Sequence, residues 1–214
     1  MSTGLGVLRS AGLRWQPRFV AAGLSALCAR VVAFVCVASV AAIPEPAVAA
    51  DPAVKFMAQV GRELMAAART RSPDVIASVI QRYGDVSYIG LYSLGSYRSQ
   101  LSTADRVTYY GGMVRFISRY AATEAPKYPI ARVEWVDESI RGANGVMVDC
   151  KIVLDNGGGE YEVRWLLAKY GDSYKVRDAM VVGFWMTPFL KQLFEDYIAQ
   201  NGGNPRALVA ALNR

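Results

Sequence analysis

The sequence predicts an α+β fold, in which a four-stranded antiparallel sheet packs against a helical layer and an apolar cavity lies between them. Two observations predict it. Apolar residues recur at helical spacing from about residue 51 to 123 and again after residue 186, whereas from 131 to 182 they alternate with polar residues. Helices that precede and follow a block of strands are typical of α+β domains, because sequential antiparallel strands pair with one another.

Residues 1–49 are predicted to form a cleavable secretory signal peptide. Arginines as far as Arg30 precede an uncharged apolar run at 31–43, and small residues follow through Ala49. Arg30 divides the apolar stretch into pieces shorter than the roughly 20 residues of a spanning helix, which disfavours the alternative of an uncleaved anchor. We expect cleavage after Ala49 or Ala50, export to the periplasm, and a single domain over residues 50–214.

The composition of residues 50–214 limits the kinds of ligand and reaction that this part of the chain can support. This part holds 20 of the 24 basic residues and 17 of the 18 acidic ones, a formal charge of +3, without a cluster of Lys or Arg. So modest and dispersed a charge is not typical of a nucleic-acid-binding protein. The chain has no histidine, which excludes Ser-His-Asp and Cys-His catalysis and removes the commonest metal ligand. Cys150 alone remains after export, so no internal disulfide can form, and we expect no cofactor and no metal.

The helical half begins with two amphipathic helices. The first starts after Asp51, and the second opens at Ser72-Pro73-Asp74 and ends at Tyr83, since Ser is a good N-cap and Pro suits the first helical position. The stretch at 85–94 is apolar on all sides, and we expect either a short buried helix or a cavity wall.

The longest predicted helix begins at Ser102, which approximates a capping box with the acid three residues later, and it runs to about Thr123. Two more helices are predicted at the end of the chain, over residues 186–200 and 205–212. The predicted buried stripe of the longest helix includes Val107, Tyr110, Val114, Ile117 and Tyr120.

Four strands are predicted, over residues 131–140, 145–155, 160–170 and 174–182. Turn sequences such as Asn144-Gly145 and Gly171-Asp172 separate them, so the strands should form an antiparallel meander. In the second strand Val148, Cys150 and Ile152 share one face, and Asp149 and Lys151 lie on the other. This alternation predicts that the apolar face lines the interior.

Large apolar side chains at two junctions exceed the single stripe that a helix needs for its core. Residues 88–97 and 183–189 are rich in aromatic residues and lie beside glycines, so we expect the mouth of a pocket between them. Ordinary core packing is the alternative explanation. The predicted ligand-binding residues lie in these junctions, the long helix and the second and third strands: Tyr88, Leu91, Tyr92, Tyr110, Val114, Ile117, Val148, Cys150, Ile152, Val163, Trp165, Leu167, Phe184, Trp185 and Phe189.

Several short motifs occur in an order that is similar to a known family. They are Tyr92-Ser93-Leu94-Gly95, the Leu101-Ser102 opening of the long helix, Tyr174-Lys175-Val176-Arg177-Asp178 with the following Gly183, and Phe194 with the tail over residues 202–212. Together they resemble the MlaC family, the periplasmic lipid-shuttle component that is also called the toluene-tolerance auxiliary family of ABC transporters. Tyr174 departs from the family pattern, which usually has tryptophan there, and Phe184-Trp185 replace a small polar pair.

What the resemblance implies is a carrier and not an enzyme: a sheet and helices around a deep apolar cavity that holds the two acyl chains of a phospholipid. It implies that lipid is shuttled between an outer-membrane lipoprotein complex and an inner-membrane ABC transporter with its substrate-binding subunit, which maintains the lipid asymmetry of the outer membrane. Three other functions stay open. They are a carrier of a hopanoid or another apolar ligand, a non-lipid periplasmic assembly module with a filled core, and an enzyme that uses Asp178, which ranks last without histidine.

Overall fold

The computed structural model of the 214-residue chain describes residues 50–155 and 157–214. The predicted signal peptide lies outside the described residues. Within them, helices precede and follow an antiparallel sheet that packs against the helical layer, so the predicted α+β class is confirmed.

The described residues form six α-helices. Their bounds are α1 Pro52–Thr70, α2 Pro73–Tyr83, α3 Val86–Ser93, α4 Thr103–Glu124, α5 Met186–Gln200 and α6 Pro205–Leu212. Short 3-10 helices at Gly95–Ser99 and Ala125–Lys127 follow α3 and α4. In the described part of the chain, none of the helices combines the length and the apolarity needed to cross a membrane.

Side-chain caps explain where the first helices begin. The Asp51 carboxylate accepts a hydrogen bond from the backbone N–H of Ala53 at 2.7 Å, and the Ser72 hydroxyl accepts one from Val75 at 3.4 Å. Ser102 caps α4 through the N–H of Asp105 at 3.2 Å. Each cap satisfies a donor that the first turn of a helix leaves without a partner, as the sequence predicts for the two serines.

Over the described residues the sheet has six strands, so the predicted number of four is too low. The strands are β1 Ile130–Trp135, β2 Ile140–Gly142, β3 Gly145–Leu154, β4 Glu160–Tyr170, β5 Ser173–Val181 and β6 Phe184–Trp185. The predicted strand at 131–140 divides because Ser139 leaves the ladder: its N–H and hydroxyl donate to the carboxylate of Asp51, at 3.1 Å and 2.7 Å. The added β6 pairs with the end of β5.

All the described strand pairs are antiparallel, in the spatial order β1-β3-β4-β5-β6, and β2 also pairs with β3. One face of the sheet packs on α1, where Val148 and Leu167 are fully buried against Met57. Side chains alternate between faces, so residues adjacent to these in sequence point to the opposite, open face. Met147 of β3 and Leu166 of β4, which are paired across the strands, therefore lie on the open face.

A second hydrophobic core lies among the helices. Tyr109 and Met113 of α4 meet Phe194 and Ile198 of α5 there, and residues of α3 and α6 complete it. Its buried members are Leu94, Leu101, Tyr109, Met113, Leu190, Phe194, Ile198, Leu208 and Leu212. None of them belongs to the sheet, so the described chain has separate sheet and helical cores instead of one shared interior.

The buried side of α4 differs from the predicted stripe. Val107 and Tyr120 are 78% and 65% exposed, whereas Tyr109 and Met113 are buried. Small residues also belong to this side: a Cβ at Gly112 would lie 2.9 Å from the Cβ of Leu212 in α6. The prediction followed apolar residues alone, and it therefore missed a side that a glycine helps to form.

Candidate ligand-binding groove

A groove of about 640 Å³ lies where the open face of the sheet meets α3, the β2–β3 hairpin and the start of α5. We call it the aromatic groove. Its volume falls in the range of small-molecule sites, roughly 300–1,000 Å³. It is lined by Tyr88, Tyr92, Gly142, Ala143, Asn144, Gly145, Met147, Leu166, Arg177, Asp178, Trp185, Thr187 and Pro188.

Apolar and aromatic side chains form the walls of the aromatic groove. Met147 and Leu166 rise from the central strands, and Tyr88 and Tyr92 project from α3 with their rings stacked, 6.2 Å between centroids. Trp185 of β6 adds a further wall. These side chains lose little free energy of solvation when hydrocarbon replaces the water around them, so the groove is suited to an apolar ligand.

The position of α3 follows from two contacts of Asp85 at its start and from a close contact at Gly90. Asp85 caps the helix through the N–H of Tyr88 at 3.3 Å, and its own N–H donates to the carbonyl of Val176 in β5 at 2.8 Å. A Cβ at Gly90 would lie 2.6 Å from a ring carbon of Tyr110, so only glycine allows α3 to lie this close to α4. These contacts fix the tyrosine-bearing side of α3 over the open face of the sheet.

A polar cluster lies at one end of the aromatic groove. The buried carboxylate of Asp85 accepts hydrogen bonds from the Tyr170 hydroxyl at 2.7 Å and from Arg177 Nε at 3.0 Å. Burial alone would raise the pKa of Asp85, but the hydrogen bonds from Tyr170 and Arg177 outweigh it, and the pKa lies below its ordinary value. Asp85 is therefore held as an anion, and the guanidinium of Arg177 is held beside the groove.

Asp178 of β5, the other charged residue of the lining, connects β5 to α5 by hydrogen bonds. Its Oδ1 accepts hydrogen bonds from the N–H groups of Ala179 and Thr187, both at 2.8 Å, and so caps the start of α5. Burial raises the pKa of Asp178 above its ordinary value, although these hydrogen bonds oppose the shift. The carboxylate of Asp178 is thus occupied in holding the start of α5.

A second groove, of about 780 Å³, lies toward the far end of the sheet, and we call it the charged groove. Arg164 forms a bidentate pair with Asp149, with both N–O distances 2.7 Å, and Lys151 pairs with Glu160 at 3.0 Å. The lining of the charged groove also contains Glu134 and Glu162, and it has more acidic than basic residues. These ionised groups would have to lose water to admit hydrocarbon, so the charged groove is the poorer site for an apolar ligand.

Two of the predicted ligand-binding residues, Cys150 and Val163, border the charged groove but are buried. The thiol of Cys150 accepts a hydrogen bond from Trp165 Nε1 at 3.4 Å. Burial raises the pKa of this thiol above its ordinary value. A buried thiol that resists ionisation is a poor nucleophile.

The structure brings together three of the residues predicted for the mouth of a pocket. Tyr88, Tyr92 and Trp185 line one groove, although Trp185 is far from the two tyrosines in the sequence. Leu91 is half-buried and outside that lining, and Phe184 and Phe189 are 72% and 65% exposed. The last two flank Trp185 and Pro188, which line the groove, but they are not part of the lining themselves.

The predicted strand residues and helix stripe do not face each other. Val148, Trp165 and Leu167 belong to the core between the sheet and α1, and Ile152 is half-buried on the same face. Tyr110 and Ile117 instead pack against the helical core, and Val114 is buried in α4. The expected cavity between these strands and α4 is therefore not the arrangement found, because α1 covers the apolar face of the sheet.

Sequence reasoning missed several residues of the aromatic groove, of which Met147, Leu166 and Arg177 are the most prominent. Charged residues at neighbouring positions, such as Asp149, predict that this face of the sheet is exposed to solvent. The alternation of side chains between the two faces is as predicted. The apolar pair Met147 and Leu166 on the otherwise polar face could nevertheless have indicated an apolar surface there. Across the described residues, no group of Cys, Asp and Glu side chains is arranged to hold a metal ion.

Comparison with known proteins gives a family and a fold. The family model described as MlaC protein matches residues 55–214. The chain is also similar to a solved structure, the phospholipid-binding protein from Ralstonia solanacearum in complex with a phospholipid, with a TM-score of 0.57 and 17% sequence identity. That match covers 75% of this chain and 94% of the other, and it shows a shared fold. No curated protein sequence matches the chain.

Proposed function

Since the chain belongs to the MlaC family, we propose that it is a periplasmic protein that binds the acyl chains of a phospholipid and carries the lipid between membrane complexes. The aromatic groove is the observation that supports this proposal best. It offers tyrosine, tryptophan, methionine and leucine side chains around a space of about 640 Å³. The similar protein from Ralstonia solanacearum is itself a phospholipid-binding protein, solved with a phospholipid.

The physical need for such a groove is large. At about 0.8 kcal/mol per methylene, two acyl chains of about 16 carbons would be on the order of 25 kcal/mol less stable in water than in an apolar site. A carrier must shelter this hydrocarbon and still release it. The apolar walls of the aromatic groove can shelter hydrocarbon, and its opening to solvent beside Tyr88 and Tyr92 gives the lipid a way out.

Binding rather than catalysis is the function that the ionisable residues support. Asp85 is paired with Arg177, Asp178 caps α5, and the pKa of Cys150 is raised by burial. A general base or nucleophile needs an ionisable side chain that is free to exchange a proton near neutral pH, and these three are occupied or buried. We therefore propose a carrier and not an enzyme.

The proposed partners are an outer-membrane lipoprotein complex and an inner-membrane ABC transporter with its substrate-binding subunit. This part of the proposal rests on family membership. A transfer assay tests it: phospholipid-loaded protein should exchange lipid with vesicles that carry either complex faster than with protein-free vesicles. Equal rates for both kinds of vesicle would contradict the shuttle.

The signal peptide over residues 1–49 and the single domain over 50–214 are also part of the proposal. The helices and strands described above lie within the second range. Sequencing of the N-terminus of the protein recovered from the periplasm should give Ala50 or Asp51 as the first residue. Recovery of the intact chain from the membrane fraction would contradict export by a cleavable signal.

Mass spectrometry of the protein purified after expression of the full chain tests the proposed function. We expect a co-purified phospholipid with two acyl chains. Leu166→Glu should remove it, because the new carboxylate lies in the aromatic groove, and Met180→Glu, which places the same charge in the charged groove, should not. A polycyclic hopanoid would instead assign another cargo, and a ligand-free, folded wild-type protein would favour an assembly module.

A further inference from the structure

Arg177 holds its guanidinium at the wall of the aromatic groove by three contacts. Nε donates to the Asp85 carboxylate at 3.0 Å, and Nη2 donates to the Tyr170 hydroxyl at 3.3 Å. The central carbon lies 4.4 Å from the ring centroid of Tyr88, so one face of the guanidinium stacks on that ring. The side chain is 27% exposed, which leaves part of its edge toward the groove.

These contacts leave hydrogen-bond donors unused. Within the part of the chain that the structure describes, Nη1 of Arg177 has no hydrogen-bond partner. A guanidinium does not release its proton in proteins, and its N–H groups can only donate. A ligand in the aromatic groove that has acceptor oxygens therefore meets a fixed cation with free donors.

The surroundings of Arg177 hold it in place before a ligand arrives. Asp85 is buried, and the Tyr170 hydroxyl donates to it at 2.7 Å. An arginine that is already held by a buried carboxylate and an aromatic ring loses little side-chain entropy when it binds a further anion. A solvent-exposed arginine such as Arg69 has no such support.

We propose that Arg177 binds the phosphate of the lipid headgroup, so that the groove selects a phosphate-bearing lipid over an uncharged lipid with the same chains. This inference rests on the proposed function. A planar guanidinium can offer two parallel N–H groups to phosphate oxygens, whereas a diacylglycerol has no anionic oxygen to accept them. Asp85 and Tyr170 act through Arg177 and are positioning residues.

The neighbouring carboxylate of Asp178 does not cancel this selectivity. Its Oδ1 points at the N–H groups of Ala179 and Thr187, at the start of α5. The positive end of the α5 dipole and these donors offset its negative charge. Arg177 therefore remains the only cation in the lining of the aromatic groove, among the residues described there.

A competition between two lipids tests the inference. Delipidated protein from cells that express the full chain is offered equal amounts of phosphatidylglycerol and of diacylglycerol with identical chains, and the bound lipids are quantified by mass spectrometry. The wild type should prefer phosphatidylglycerol, and Arg177→Met should lower that preference roughly tenfold, the effect of one charge-assisted hydrogen bond. Arg177→Lys should recover part of it, because the charge remains without the planar fork.

Controls separate selectivity from folding. Arg69→Met removes an equal charge from an exposed site on α1 and should keep the wild-type preference. If Arg177→Met does not fold because Asp85 is left buried without its partner, the double variant Asp85→Asn/Arg177→Met removes both charges and should show the same loss. A folded variant without Arg177 that retains the full preference would overturn the inference.

The remaining outcomes distinguish this inference from the function on which it rests. Wild-type protein that binds both lipids equally would leave the carrier standing and exclude a phosphate-selecting Arg177. Wild-type protein that binds neither lipid would contradict the proposed function itself. Inorganic phosphate alone serves as the last probe: Arg177-dependent binding of it without any preference between the lipids would assign a free-phosphate site and overturn the inference.

Discussion

Single residues of the site combine an apolar surface with a few fixed charges. Tyr88 illustrates this, since one neighbour of its ring is the ring of Tyr92 and the other is the guanidinium of Arg177. The Tyr88 side chain therefore faces both the apolar part and the polar end of the aromatic groove. An amphiphilic ligand matches such a lining better than a purely apolar one does.

Cys150 gives a test of the packing between the sheet and α1. The thiol is 5% exposed, and burial raises its pKa, so it should react slowly with a polar thiol reagent at neutral pH and at once in denaturant. Reaction of the folded protein is measured by the mass increase with time. Labelling at the denatured rate would show that the apolar face of the sheet is open to solvent.

The Asp85–Arg177 pair predicts a specific pH dependence of stability. Because the pKa of Asp85 is lower in the folded chain than in the unfolded one, the pair stabilises the fold above the ordinary carboxyl pKa of about 3.9, and this contribution is lost as the pH falls through the folded value. Asp85→Asn should lower the free energy of unfolding by about 1–2 kcal/mol at pH 7 and by less near pH 3, where the unfolded chain is already largely protonated at this position.

Urea unfolding at both pH values measures this difference, with Asp172→Asn in an exposed turn as the control that should change little. If Asp85→Asn destabilises the protein equally at both pH values, the ionised form of Asp85 is not the source of its contribution.

At the scale of secondary-structure elements, α3 is the element that makes the groove. It has only eight residues, too few to be stable alone, so its position depends on the contacts at Asp85 and Gly90. The sequence predicted a short helix or a cavity wall at this place, and the segment is both. The helix is apolar on all sides because one side packs on the helical core and the other faces the aromatic groove.

Gly90→Ala tests the close approach of α3 and α4. The added methyl group would lie 2.6 Å from the ring of Tyr110, so we expect a loss of about 1–3 kcal/mol in the free energy of unfolding. Gly111→Ala is the matched control in α4: the nearest atom to the added methyl group would be a guanidinium nitrogen of Arg115 at 3.9 Å, and alanine there should stabilise the protein by about 0.5–1 kcal/mol. Equal effects of the two substitutions would exclude tight packing at Gly90.

Most helices and strands could be predicted from local sequence, but which of them pack against each other could not. Ser72 and Ser102 mark helix starts because a cap is a contact within a few residues. The division of the first predicted strand could not be predicted, because it depends on Ser139 meeting Asp51 from a distant part of the sequence. The packing of α1 on the sheet was missed for the same reason, and with it the location of the groove.

At the scale of the whole molecule, α1 fills one face of the sheet and leaves the other open. The candidate groove thus forms at the edge of the open face, between the sheet and the helical core, and not inside either core. The sequence predicted correctly that residues 88–97 and 183–189 come together. It could not show which face of β3 and β4 joins them, since both faces carry apolar residues.

The aromatic groove is where we propose that phospholipid binds, and site-specific photo-crosslinking can test this placement without a change in the charge of the groove. A photoreactive phenylalanine derivative is placed at Tyr92, in the aromatic groove, or at Tyr161, which borders the charged groove, and the protein is irradiated in lipid-loaded form. We expect mass spectrometry to detect a protein–phospholipid adduct at Tyr92 and none at Tyr161. An adduct at Tyr161 alone, or at neither position in protein that retains lipid, would contradict it.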